Sequence, residues 1–157
     1  MPFEVVSDSP GRTALLGEII GKRLQGGTLI LLEGELGAGK TVFAKGLGGG
    51  LDISEEITSP SFNLMLRYEG RLGFDHWDLY RLDIMGEDEE FLESVYDNRS
   101  ITVVEWGERL KEKPDVPTLA IKLELTDIKQ ERKIIFDGDA ELLSEVVTPI
   151  INEWKDK

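Results

Sequence analysis

The sequence predicts an α/β protein in which helices cover a mixed parallel and antiparallel sheet. Three observations support this prediction. Residues 28–32 form a continuous apolar run, which is typical of a strand buried on both faces. A glycine-rich segment and then a helical pattern follow directly, as in a strand–loop–helix unit. Leucine or isoleucine occupies every second position from 119 to 125, which predicts a strand with one solvated face.

The first predicted helix begins at Ser9 and Pro10, a side-chain N-cap followed by a proline at the first helical position. Apolar residues then recur at helical spacing as far as Leu24. The glycines at 26–27 favour a break in the chain there. We therefore expect this helix to end before the buried strand at 28–32.

The middle of the chain is predicted to contain a second helix and a β-hairpin. The helix covers 41–47, and the three consecutive glycines at 48–50 are expected to close it. Residues 51–61 read as an exposed loop. Two strand-like runs, 62–68 and 72–77, are separated by a short polar turn and predict a hairpin.

The remaining pattern predicts two helices and further strands. Residues 86–96 are acidic with apolar residues on one side, which indicates a short helix. Residues 101–104 form another buried strand, and 133–136 is expected to pair with the strand at 119–125. A closing helix is predicted over 142–150, where Pro149 should kink or shorten it.

Length and composition restrict the classes of site that the chain can carry. The 157 residues predict a single domain, residues 1–157, with a core that needs no covalent staples. There is no cysteine, which excludes a disulfide framework, a thiolate nucleophile and a cysteine zinc site. His76 is the only histidine, which excludes a site with several histidine ligands.

The charge of the chain predicts how it meets nucleic acids and membranes. A net charge of −13 should repel a polyphosphate backbone, so we expect no DNA partner and only indirect contact with RNA through another protein. The same charge is also typical of simple solubility. Residues 1–8 lack the pattern of a signal peptide, and no apolar run reaches the length of a membrane span. A cytoplasmic location is the expectation.

Residues 34–41, G-E-L-G-A-G-K-T, match the phosphate-binding pattern G-x-x-x-x-G-K-[ST] at every fixed position. Glycines let backbone N–H groups approach phosphate oxygens, and Lys40 supplies a positive charge for the β- and γ-phosphates. Thr41 offers a hydroxyl to Mg²⁺, and the helix that follows points its positive end at the phosphates. The pattern predicts binding of ATP with Mg²⁺ in a P-loop NTPase-like three-layer sandwich.

A magnesium site of this kind needs an acidic group at the end of a neighbouring buried strand. Glu105, at the end of 101–104, is the candidate, and the alternative is a surface glutamate at a strand end. Asp78 follows a strand and could orient water or bind the water shell of the metal. His76 could bond the backbone or phosphate, or be a structural residue. Arg81 could contact phosphate, or only pair with Asp78.

Ser61 lies between the first helix after the glycine segment and the next strand. Nucleotide-sensing loops usually occupy that place, and the hydroxyl could reach Mg²⁺ or the γ-phosphate when such a loop closes. An ordinary serine turn explains the same residue equally well.

Together these motifs resemble the TsaE family, also called YjeE, the small ATPases of bacterial tRNA threonylcarbamoyladenosine synthesis. The matching stretches are 34–41, 58–62, 76–81 and 105–106, and the resemblance runs from about Ser7 to Leu125. H-x-D-x-Y-R at 76–81 is the specific element. Ser61 stands where threonine is usual and keeps the hydroxyl.

The resemblance implies an ATPase with a P-loop α/β fold. Thr41 and Glu105 would bind Mg²⁺, while Lys40 and Asp78 would be the catalytic residues. Thr13 would lie near the nucleotide base. The implied nucleotide-binding residues are Thr13, Glu35, Leu36, Gly37, Ala38, Gly39, Lys40, Thr41, Val42, Ser61, His76 and Arg81.

The resemblance also implies partners and a pathway. Family members assemble with TsaD and TsaB proteins and support threonylcarbamoyl transfer to the adenosine next to the anticodon. Two other functions stay open from the residues. A small-molecule kinase would need an arginine-bearing lid, but Arg109 and Arg132 are scattered in the sequence. A nucleotide-dependent switch would bind ATP and a partner without hydrolysis.

Overall fold

The computed structural model of the protein describes residues 2–58, 65–79 and 89–157. The strands are β1 (Phe3–Ser7), β2 (Leu29–Glu33), β3 (Met65–Glu69), β4 (Gly73–Asp78), β5 (Ser100–Glu105), β6 (Thr118–Leu125) and β7 (Arg132–Gly138). The α-helices are α1 (Pro10–Arg23), α2 (Lys40–Gly50), α3 (Glu89–Val95), α4 (Ala140–Leu142) and α5 (Thr148–Lys155).

The seven strands found in the described residues form one sheet in the order β1-β7-β6-β2-β5-β4-β3. Strands β6, β2, β5 and β4 are parallel to one another, whereas β1, β7 and β3 are antiparallel to their neighbours. The predicted mixed sheet and the pairing of β7 with β6 are confirmed. Because β2, β4 and β5 are parallel neighbours around the sheet centre, their carboxyl ends meet at the same edge.

Helices cover both faces of the sheet, as predicted for three layers. On one face, Leu16 of α1, Phe43 of α2 and Trp154 of α5 belong to the larger apolar cluster together with residues of the sheet. On the other face, Phe91 and Val95 of α3 pack in a second cluster with β2, β4 and β5. The alternation of side chains along each strand divides them between the two clusters.

Helix α1 begins as predicted, because the Ser9 hydroxyl accepts a hydrogen bond from Arg12 N at 3.2 Å. The predicted end of α2 is wrong, since the helix continues to Gly50. Its glycines lie against α1: a Cβ on Gly46 would overlap the carbonyl oxygen of Ala14, and one on Gly50 that of Glu18. These glycines therefore permit two backbones to touch and do not stop the helix.

The structure adds one strand to the predicted elements and corrects one predicted loop. Strand β1 was not predicted, because Val5 is its only buried apolar residue and pairing with β7 decides its conformation. The segment 51–58 is not an exposed loop throughout, since Leu51, Ile53 and Ile57 are buried. The rest of that predicted loop lies outside the described residues.

The C-terminal helix is continuous through its proline. A π-helical turn, Leu143–Val147, directly precedes α5, and this local change of hydrogen-bond pattern accommodates the missing N–H of Pro149. Arg12 and Trp154 then fix the end of α5 on α1: Arg12 Nη2 donates to Trp154 O at 2.8 Å, and Trp154 Nε1 donates to Arg12 O at 2.9 Å. The C-terminal part thus orients α1.

Across the described ranges, no helix has both the length and the apolar character needed to cross a bilayer.

Candidate functional site

Residues 34–41, the glycine loop, connect the end of β2 to the start of α2. Gly34, Gly37 and Gly39 have φ values of 146°, 83° and 105°, which L-residues with a side chain rarely adopt. A Cβ on Gly34 would also lie 2.5 Å from the carbonyl oxygen of Leu123. The glycines of the motif are therefore required by the backbone itself.

Lys40 folds back over the loop that precedes it. Its Nζ donates to Gly34 O at 2.6 Å and to Glu35 O at 2.9 Å, and it lies 3.9 Å from the centroid of the Trp106 ring. Burial lowers the pKa of Lys40, while the charges of Glu105 and other nearby carboxylates oppose that shift. The ammonium group is thus already held at the inner surface of the loop.

A hydroxyl, a carboxylate and an imidazole converge beside Lys40. Thr41 Oγ1 donates to Glu105 at 3.1 Å from Oε1, and His76 Nε2 lies 2.6 Å from Glu105 Oε2. His76 and Glu105 are both buried. His76 Nδ1 has no hydrogen-bond partner among the described residues. His76 therefore contacts the carboxylate and fixes its orientation.

Asp78 completes this edge of the sheet. It is paired with Glu105 in the register of β4 and β5, and Leu79 N donates to Glu105 O at 3.1 Å. Its carboxylate is half-buried, and its charge opposes the lowering of the Lys40 pKa by burial. Asp78, His76 and Glu105 thus come together from two neighbouring strands, as the motifs suggested.

The remaining predicted site residues differ in how the structure places them. Thr13 is buried in α1, where its hydroxyl donates to Ser7 Oγ at 2.8 Å. Val42 is half-buried in the first turn of α2, and Leu36 at the tip of the loop is exposed. Ser61 and Arg81 lie outside the described residues, so their predicted contacts stay predictions.

Sequence reasoning missed three residues that contact the glycine loop. Trp106, whose φ of 60° is rare outside glycine, carries the ring that faces Lys40. Glu108 Oε2 accepts a hydrogen bond from Gly34 N at 3.3 Å. Arg132 donates to the loop carbonyls of Ala38 and Gly37 and is not scattered away from the site. Trp106 belongs to the matching stretch 105–106, although no contact was predicted for it. No motif predicts the contacts of Glu108 and Arg132, because they depend on which strands are neighbours in the sheet.

The arrangement can hold an anion beside a hard cation. The N-terminus of α2 and the ammonium of Lys40 supply positive charge for an anion. Thr41 and Glu105 offer the oxygen ligands that Mg²⁺ prefers, and Mg²⁺ commonly takes its other ligands from water and phosphate. Among the described residues, no three histidine, aspartate or glutamate side chains are arranged so that they could hold a metal ion by themselves. The residues present therefore fit a magnesium ion that is bound together with a phosphate.

The sequence was compared with protein families and with individual known proteins, and the matches agree on one family. Residues 7–134 match the family model of TsaE, threonylcarbamoyl adenosine biosynthesis protein. The tRNA threonylcarbamoyladenosine biosynthesis protein TsaE of Treponema pallidum is 40% identical over 142 residues, which cover 87% of this chain and 96% of that protein. The protein of the same name from Bacillus subtilis is 32% identical over 129 residues, covering 82% and 80%.

The solved structures agree with this result. A crystal structure of Bacillus subtilis YdiB is similar with a TM-score of 0.73 and 27% sequence identity, over 99% of this chain and 95% of that one. The fold, the matched family model and the relatives are consistent with one another, and they confirm the resemblance drawn from the motifs. The chain therefore belongs to the TsaE family of threonylcarbamoyladenosine biosynthesis proteins.

Proposed function

We propose that this protein binds ATP with Mg²⁺ at the glycine loop and hydrolyses it, and that this hydrolysis is required for tRNA threonylcarbamoyladenosine formation. It would act in the cytoplasm as a subunit alongside TsaD- and TsaB-like proteins. The observation that supports this most directly is the convergence of Lys40, Thr41 and Glu105 at the carboxyl end of the parallel strands. Membership of the TsaE family supports the pathway.

Each group at the site has a distinct task in this proposal. Backbone N–H groups of the loop and Lys40 hold the phosphate oxygens. Thr41 and Glu105 would hold Mg²⁺, which neutralises the charge that develops on the phosphates. His76 keeps the Glu105 carboxylate aligned through its 2.6 Å contact.

Asp78 is the candidate for orienting the attacking water. The water oxygen forms a bond to the γ-phosphorus while the bond from that phosphorus to the β–γ bridging oxygen breaks, which gives ADP and inorganic phosphate. The carboxylate of Asp78 accepts a hydrogen bond from this water and fixes its direction of approach. Its place beside Glu105 in the sheet puts it on the edge where the γ-phosphate would lie.

The acidity of the chain is consistent with a role that leaves tRNA to the partners. At a net charge of −13, repulsion from the phosphate backbone opposes direct binding. We therefore propose that the protein meets tRNA only within the assembly.

The test is ATP hydrolysis and threonylcarbamoylation with the protein alone and with TsaD- and TsaB-like partners. We expect the partners to raise the hydrolysis rate, and Asp78→Asn to lower it by about 100-fold while ATP still binds. Asp115→Asn is the control, because Asp115 is exposed and lies in the segment before β6, whose first residue pairs with the start of β2 and not with its carboxyl end. Normal binding and assembly without any phosphate release would indicate a switch, and phosphorylation of a small molecule would indicate a kinase.

Replacing Glu105 with glutamine tests the metal site. The amide keeps the shape of the side chain but removes the negative charge that attracts a cation. The Mg²⁺ concentration for half-maximal hydrolysis should rise by about tenfold or more. Glu124→Gln is the matched control, since Glu124 forms ion pairs with Lys122 and Lys133 on β6 and β7. An unchanged magnesium titration for Glu105→Gln would remove this residue from the metal site.

A further inference from the structure

Arg132 lies at the start of β7 beside the glycine loop, and no step of the proposed function uses it. Its guanidinium makes four hydrogen bonds, all to main-chain carbonyls. Nε donates to Ala38 O at 3.0 Å and Nη2 to Gly37 O at 3.2 Å. Nη1 donates to Lys129 O at 2.9 Å and to Glu131 O at 2.8 Å. One side chain thus ties the loop to the β6–β7 connection.

We propose that Arg132 is a positioning residue that holds the glycine loop in the conformation in which it receives phosphate. This inference rests on the proposed function, because it assigns Arg132 to the same site. The guanidinium lies on the carbonyl side of the loop and does not need to touch the nucleotide. It acts through the peptide groups that it fixes.

The geometry of the peptide bond explains how this contact acts. The carbonyl and the N–H of one planar trans peptide point in opposite directions. Because Arg132 holds Ala38 O, the N–H of Gly39 points away from Arg132. Arg132 also holds Gly37 O, while the N–H of the same peptide, on Ala38, donates to Glu35 O at 3.0 Å and closes the turn. Arg132 therefore fixes the peptide whose donor belongs to the last glycine before Lys40.

The loop needs such a contact because of its composition. Gly37 and Gly39 both have positive φ, and glycine has more accessible backbone conformations than any other residue. A free loop would lose that freedom each time it bound phosphate, and the lost entropy would weaken binding. A loop that is already fixed before binding has lost this conformational entropy when the protein folds, so binding does not lose it again. The contact to Arg132 thus raises affinity without any contact to the ligand.

Strand β7 holds the backbone of Arg132 in a fixed position relative to the glycine loop. Arg132 is paired with Leu125 of β6 on one side and with Ser7 of β1 on the other. The planar fork of an arginine can donate several hydrogen bonds in fixed directions, which the single ammonium of a lysine cannot reproduce. We therefore expect Arg132→Lys to restore only part of the effect.

The test compares Arg132→Gln, Arg132→Lys and Lys133→Gln with the wild-type full chain. Lys133 is the next residue on β7 and pairs with Glu4 and Glu124 at the surface, so it controls for loss of a positive charge from this strand. Calorimetry should show ATP–Mg²⁺ binding weakened about tenfold in Arg132→Gln. It should be weakened less in Arg132→Lys and unchanged in Lys133→Gln.

Two further readouts separate positioning from general stability. Hydrogen exchange of the amides at 37–41 in nucleotide-free protein should be faster in Arg132→Gln and unchanged in the core strands. With the partners present, KM for ATP should rise more than kcat falls. Wild-type affinity and wild-type exchange in Arg132→Gln would overturn this inference and leave the proposed function standing. Failure of the wild type itself to bind ATP, alone or with partners, would overturn both.

Discussion

Lys40→Ala is expected to abolish ATP turnover, with a loss of at least about 100-fold in the presence of the partners. Lys40 is the ammonium group that the loop holds at its inner surface, through Gly34 O and Glu35 O. Alanine removes the charge that would stabilise the transferred phosphoryl group. It also frees both carbonyls, so the loop loses two charge-assisted hydrogen bonds that shape it. Phosphate release and threonylcarbamoylation are the two measurements.

Lys45→Ala is the matched control for this variant. Lys45 lies on the same helix and is exposed, and among the described residues it pairs with Glu56 at 3.5 Å, so its loss should leave turnover unchanged. If Lys40→Ala supported full threonylcarbamoylation, the glycine loop would not be the site of the required nucleotide.

The pH dependence of ATP binding is a second test of the role of Lys40. Burial holds the pKa of Lys40 below its usual 10.5 in the free protein. Bound phosphate favours the protonated form, so binding takes up a proton once the pH exceeds this lowered pKa. ATP affinity should therefore begin to fall at a pH below 10.5. Lys40→Arg should lack this fall in the same range, because arginine stays charged.

The core of the site could be predicted from the sequence because its residues are linked by local rules. A glycine loop between a buried strand and a helix fixes where Lys40 and Thr41 stand. The carboxyl ends of parallel strands meet at one edge, so Glu105 had to lie near the loop if its strand was adjacent to β2. The same rule predicted that Asp78 lies near Glu105, since β4 is parallel to β5.

The contacts of Arg132 could not be predicted by such rules. This residue bonds the carbonyl of Ala38 across 94 positions of sequence. The contact requires β7 to pair with β6, which the sequence predicted, and β6 to lie beside β2, which only the observed strand order reveals. Neither a motif nor a periodicity encodes that order. Long-range pairings of this kind are decided by the packing of the whole sheet.

The glycines of α2 show a different reason for failure. A run of three glycines usually ends a helix, because glycine has low helix propensity. Here the gain from close packing of α2 on α1 outweighs that propensity. Gly17 and Gly21 of α1 make the approach mutual: a Cβ on Gly17 would lie 2.6 Å from Phe43 O, and one on Gly21 would lie 2.5 Å from Leu47 O. Glycines from both helices were visible in the sequence, but their meeting depends on the tertiary fold.

This crossing predicts opposite effects for two neighbouring glycines of α2. In Gly46→Ala the new methyl group overlaps the backbone of Ala14, which should cost about 3 kcal/mol and exceed the roughly 1 kcal/mol gained in helix propensity. In Gly49→Ala the nearest atom is Glu18 Cγ at 3.9 Å, an ordinary contact. That variant should be stabilised by about 0.5–1 kcal/mol. Denaturant unfolding of both variants measures the difference.

The position of α2 also connects this stability effect to function. The first turn of α2 carries Thr41, whose hydroxyl must stay within 3.1 Å of a Glu105 oxygen. A methyl group at Gly46 relieves its overlap only if the two helices separate, and we expect the shift of α2 to displace that first turn. Gly46→Ala should therefore raise the magnesium requirement even where the protein still folds, while Gly49→Ala keeps it unchanged. Equal stability of the two variants would show that the helices can separate at no cost and that the close crossing does not hold the site together.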